Sequence, residues 1–132
     1  MPNFQILHND ICRRYIGLFK NYPTMSQHIP GIIERIIAKD FHGQVTLLPY
    51  FFRASLPPRS SRQISDETVT TLGLANLAGW IAYRIYDDFL DNEGTPGMLP
   101  LAIASMRHCM ALYKELLSKK AYALLQSFMD RM

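Results

Sequence analysis

Apolar positions recur at helical spacing along much of the chain, which predicts a mostly helical fold. Ile11, Tyr15, Leu18 and Phe19 mark one such face, and Asn21-Tyr22-Pro23 ends that segment. A second helix is expected to begin at Pro30, a residue tolerated in a first turn, and to run to about Lys39. Its apolar residues are Ile32, Ile33, Ile36 and Ile37. β-Branched residues would also suit a strand, but Glu34 and Arg35 between the pairs fit a helix better. From Val45 to Leu56 the chain is strongly apolar, and Pro49 should kink or start a helix there. Residues Pro57 to Arg62 break the pattern and read as a loop.

The next segment is the most informative. Ser65 or Asp66 suits an N-cap, Glu67 favours a first turn, and no proline intervenes until Pro96. A helix from about Asp66 to Asp91 would be about 39 Å long. Between Thr68 and Tyr86 its only charged residue is Arg84, so it should be surrounded by other helices. Gly73, Ala75, Ala78, Gly79 and Ala82 keep it slim enough for close neighbours. Asn92 to Gly97 reads as a loop. A further helix is expected from about Leu99 to Leu117, and a last one from near Lys119 to Met132. No cap or turn signal closes that last helix, which predicts a chain cut short within a longer fold.

Composition changes this picture little. With 132 residues, 48% hydrophobic and 19% charged, the chain fits a single helical domain, residues 1–132, with its own core. The net charge of +3 comes without any block of like charge, so nucleic acid is not implied as a partner. Cys12 and Cys109 form neither a disulfide framework nor a C-x-x-C pair, and read as core residues in a reducing compartment. His8, His28, His42 and His108 lack zinc-site spacing. No signal-peptide pattern opens the chain, and its longest uncharged run is too short to span a bilayer. A cytoplasmic location is the default expectation.

The candidate chemistry lies at Asp87-Asp88-Phe89-Leu90-Asp91. On a helix Asp87 and Asp91 share one face, with Cβ atoms about 5–6 Å apart. Asp88 sits to the side, placed to assist from a second layer. Crowding carboxylates at the end of an apolar helix is costly unless a cation offsets it, and such local violations cluster at functional sites. Magnesium, held by one or two carboxylates and completed by water and phosphate, suits this arrangement.

These residues resemble the first aspartate-rich motif, D-D-x-x-D, of class I isoprenoid synthases, a superfamily of polyprenyl diphosphate synthases, terpene cyclases and squalene and phytoene synthases. Arg84 completes an R-x-x-D-D pattern similar to the squalene and phytoene branch. The resemblance implies an all-α helical bundle of the isoprenoid synthase type, incomplete here and representing the N-terminal part. It implies Mg²⁺ as cofactor and a prenyl diphosphate as substrate, ionised and then transferred or cyclised. Asp87, Asp88 and Asp91 would be the catalytic residues, with Asp87 and Asp91 as metal ligands. Arg84, and after it Arg53, would bind the diphosphate. Tyr83, Trp80 and Asn76, one or two turns before Asp87, would line the substrate cavity and steady a carbocation. The facing second acidic motif is not encoded between Asn92 and Met132, so the isolated chain is expected to be inactive. An apolar flank left open for later helices predicts self-association, with a homodimer as its simplest form.

The plainer readings are a solvated helix end at Asp87 to Asp91, a charge-compensating ion pair at Arg84, core aromatics at Trp80 and Tyr83, and a hydrogen-bonded core amide at Asn76. Together they make the rival function, a non-catalytic helical interaction module or a degenerate synthase.

Overall fold

Asn3 opens α1 (Phe4–Gly17), its side chain accepting from the N–H groups of Gln5 and Ile6 at 3.0 and 3.2 Å. The computed structural model describes residues 3–39 and 43–131, the side chains of residues 36–39 excepted. The side chains of Ile36 and Ile37, and His42 and Met132 altogether, lie outside the described residues. In chain order there follow α2 (Pro23–Ser26), α3 (Ile29–Lys39), α4 (Gln44–Ser55), α5 (Pro58–Ser61), α6 (Asp66–Leu90), α7 (Leu99–Leu116) and α8 (Lys119–Asp130). The described residues form helices and turns with no strand, so the protein is all-α.

Two of these helices are single turns that lie within expected breaks. The first helical segment ends before Asn21-Tyr22-Pro23, as expected, and Pro23 then starts the single turn of α2, where Ser26 Oγ donates to the Phe19 carbonyl at 2.6 Å. Pro58 likewise starts α5 inside the expected loop. In both cases the fixed φ of proline suits a first turn, where its missing N–H costs nothing. A short 3₁₀ turn, Pro96–Met98, leads into α7 for the same reason.

Long helix α6 is the axle of the fold, with α7, α4 and α1 packed around it. The small residues predicted to keep it slim do so. A Cβ at Gly73 would lie 2.5 Å from the Thr46 carbonyl oxygen, and one at Gly79 would lie 3.0 Å from Cys109 Sγ. Gly73 therefore admits the α4 backbone, and Gly79 admits α7. Tyr15 of α1, Phe19 in the turn that follows it, Ile29 of α3, Leu77 and Ile81 of α6 and Leu101 of α7 are fully enclosed in the core. Both cysteines are buried and neither forms a disulfide.

Buried polar groups tie the layers in register. Ser105 Oγ donates its single hydrogen to the Ala78 carbonyl at 2.7 Å, so the Tyr15 hydroxyl, 2.9 Å away, must be the donor to Ser105. Burial pushes the Tyr15 phenol well above its ordinary pKa, which keeps it a neutral donor. A second chain joins α1 to α4. Thr46 Oγ1 donates to the Gly43 carbonyl at 3.1 Å, which leaves His8 Nδ1, at 2.6 Å from that oxygen, as donor.

Pro49 sits inside α4 rather than at a break. Having no N–H, it cannot bond the carbonyl of Val45 four residues earlier. Asn76 Nδ2 of α6 donates to that carbonyl instead. The proline is thus tolerated because a neighbouring helix replaces the lost bond.

Coverage of α6 is uneven. Near its C-terminal end Trp80 is 49% and Leu90 81% exposed, so the helix is not enclosed all round as its apolar sequence predicts. Helix α8 stands beside this flank with Leu124 and Phe128 also exposed. No helix among the described residues is long and apolar enough to cross a membrane.

Candidate functional site

The acidic motif occupies the last turn and the cap of α6. Asn92 adopts a left-handed conformation, φ 58°, which asparagine tolerates better than most residues. The Glu93 N–H then bonds the Asp88 carbonyl at 2.7 Å and the Asn92 N–H bonds the Phe89 carbonyl at 3.1 Å. This pair of bonds is a Schellman closure, and it satisfies main-chain acceptors without using a carboxylate. Gly94 then lies on the Phe89 ring, where a Cβ would meet ring atoms at 2.5 Å. The acids project from a backbone that is already tied down.

Because Asp91 N–H still bonds the Asp87 carbonyl at 3.0 Å, the helical register persists to the cap. Asp87 and Asp91 therefore share a face, both exposed, as their spacing predicts. Asp88 turns to another side. Its side chain is 21% exposed against 58% for Asp87. Asp87 lines an open groove of about 230 Å³ together with Trp80, Tyr83, Arg84, Tyr86 and Leu90. Asp88 lines a separate cavity of about 210 Å³ with His28, Arg35, Glu93 and Thr95.

The electrostatics are adverse. All three acids lie at the negative pole of a 25-residue helix whose last turn contains no basic residue. Arg84 Nη1 lies 3.9 Å from Asp87, at the outer edge of an ion pair. The nearer cation is Arg35 of α3, whose Nη2 is 3.2 Å from Asp88 Oδ2. Sequence reading gave Arg35 no role. It lies 53 residues from Asp88, and nothing local marks it beyond its polar place in an amphipathic helix.

Among the described residues no three of His, Cys, Asp and Glu are gathered to hold a metal ion unaided. Asp87 and Asp91 do suit magnesium in one respect. They are two hard carboxylates on one accessible face, and that ion takes the rest of its shell from water and phosphate.

The other expected site residues divide. Trp80, Tyr83 and Arg84 lie in the groove with Asp87. Burial first, then Cys109 and Tyr86, push the Tyr83 phenol above its ordinary value, and its hydroxyl donates to Met129 Sδ of α8 at 3.5 Å. Asn76 instead donates to the α4 backbone. Arg53 belongs to the opposite end of α6. It is 2.8 Å from Asp66, donates to the Ile64 carbonyl at 3.1 Å and sits 5.3 Å over the Tyr50 ring. Asp66 and Asp87 are about 31 Å apart along the helix axis, so Arg53 cannot act on a group held at Asp87. Arg53 borders a wider groove of about 570 Å³ with Ile6, Leu7, Arg13 and Tyr50, far from the acidic end.

Comparison with protein-family models, curated proteins and solved structures finds no match to this chain.

Proposed function

We propose that this chain carries the cation- and diphosphate-binding half of a class I isoprenoid synthase, acting on a prenyl diphosphate. The observation that carries the reading is the paired exposure of Asp87 and Asp91 at the negative pole of α6, beside a groove walled by Trp80 and Tyr83. An exposed helix end would be more stable with basic residues there. Asp87 and Asp91 would hold the metal. When bound, Mg²⁺ supplies charge neutralisation at the departing diphosphate. Arg84 offers a forked donor to the same phosphate oxygens. Trp80 and Tyr83, which line the groove, would attract developing positive charge through their aromatic rings. The exposed flank of α6 and α8 is where the remaining helices of the bundle, with the second acidic motif, would pack.

The rival, a non-catalytic helical module, is favoured by the ion pairs of Asp87 with Arg84 and Asp88 with Arg35, which compensate the acids internally. Thermal melting separates the two. Magnesium together with inorganic pyrophosphate should raise the melting temperature by several degrees, through linkage, and Asp87→Ala should abolish the rise. A wild-type protein whose melting temperature ignores both ions is the rival.

A further inference from the structure

At the N-terminal end of α6, the groove of about 570 Å³ opens between α1, α4 and α6. That size falls within the range of about 300–1,000 Å³ usual for small-molecule sites. Ile6 and Leu7 of α1, Val69 of α6 and the Tyr50 ring of α4 give it an apolar lining. One cation is built into it. The Arg53 side chain is only 16% exposed and lies 5.3 Å over the Tyr50 ring, and its Nη1 is tied to the Ile64 carbonyl at 3.1 Å and to Asp66 at 2.8 Å. These contacts leave the other edge of the guanidinium open. Among the described residues Nε and Nη2 have no hydrogen-bond partner, and neither is sealed from solvent. Such an edge is a paired donor that can take both oxygens of a carboxylate.

Charge around the groove sets the kind of anion. Asp10 and Asp66 line it too, so a doubly charged phosphate would meet two carboxylates, whereas a single delocalised charge is answered by the Arg53 fork. Arg13 adds a loosely held cation at the rim, 76% exposed and 3.8 Å from Asp10. We propose that this groove binds an amphipathic monocarboxylate, its carboxylate on Nε and Nη2 of Arg53 and its hydrocarbon along Ile6, Leu7 and Val69. The site is separate from the acidic end of α6 and does not depend on the function read there.

Octanoate is the probe, titrated into the whole chain by calorimetry at neutral pH. It should bind, with 1-octanol (same tail, no charge) and acetate (same charge, no tail) each weaker by about tenfold or more. Arg53→Lys keeps the charge without the fork and should weaken octanoate about tenfold, the scale of one charge-assisted hydrogen bond. Ile6→Asp, at a side chain already 66% exposed, sets a like charge on the wall and should also weaken octanoate, while melting as the wild type does. Trp80, the single tryptophan, lies in the other groove, about 15 Å along α6 from Thr70, so its emission should not respond to octanoate. No binding of octanoate, equal binding of 1-octanol, or indifference to both substitutions overturns the proposal. A Trp80 response that persists in Arg53→Lys would place the ligand on the exposed flank of α6 and overturn it as surely. Tighter binding of octyl phosphate than of octanoate would show that the groove takes phosphate esters, and the monocarboxylate would be wrong.

Discussion

The two ends of α6 are built on opposite rules. At its start Ser65 Oγ accepts from the Thr68 N–H at 3.1 Å, and Asp66 and Glu67 occupy the first turn, where negative charge complements the helix dipole. Each acid has a basic partner from another helix. Arg14 grips Glu67 with two bonds of 2.8 and 3.3 Å, and Arg53 meets Asp66 at 2.8 Å. Arg14 in turn holds the Glu67 carboxyl below its ordinary pKa. At the far end three acids oppose the dipole and the last turn has no base. Asp88 meets Arg35 of α3 at 3.2 Å, but Asp87 has only Arg84 of its own helix at 3.9 Å, and the groove beside it is walled by half-exposed aromatics. The first end is what stability alone would select. The second carries a cost, which is what one expects where a ligand completes the structure.

The contrast can be broken in order of effect. The largest lies where α4 presses on the first half of α6. Gly73→Ala puts a methyl group 2.5 Å from a backbone oxygen that cannot move aside. It should cost on the order of 2–3 kcal/mol, seen as a lower urea midpoint, whereas Gly79→Ala meets only a sulfur atom and should cost about 1 kcal/mol. Equal losses at the two glycines would mean that α7 approaches α6 as tightly as α4 does. Next comes a mirrored pair of substitutions at the termini. Ser65→Ala should lose about 1 kcal/mol, while Asp87→Asn with Asp91→Asn should gain about 0.3–1 kcal/mol per charge in metal-free buffer. A loss from the aspartate changes would show that the C-terminal acids stabilise the fold, and would remove the physical basis for reading them as a site.

The smallest effect concerns acid. Burial lowers the pKa of His108, which packs edge-on to Phe19. Its folded value therefore lies below that of the unfolded chain. As pH falls through the ordinary imidazole value of 6.5, the unfolded chain takes up the proton first. Stability is complete above that value and declines below it, until the folded imidazole also protonates. His108→Gln should flatten the fall in melting temperature between about pH 6.5 and 5. An unchanged slope would place the acid sensitivity elsewhere, with the carboxylates as the next suspects.

Much of the fold was legible because it is encoded locally. The long helix expected over about 66–91 is observed over Asp66–Leu90, with Ser65 as the cap that its hydroxyl suggested. The same locality gave only part of the picture at prolines. Pro23 and Pro58 read as breaks yet start single turns, and Pro49 is accommodated within α4 by an amide that lies 27 residues later. That amide, Asn76, was one of the residues assigned to the substrate cavity. Its plainer reading as a bonded core amide describes what the structure does with it. Of the two expected diphosphate arginines, Arg84 shares the motif's own helix and stays beside it, whereas Arg53 is carried to the other end.

What the sequence determined by itself was helix positions, the slim central rod and the clustering of acids at one end of it, because each follows from residues within a few positions of one another. Tertiary structure alone decided which cations meet those acids and which side of the rod stays open. Helices distant in the chain are brought together by burial of their apolar faces, and burial is indifferent to where an arginine on the polar face will land.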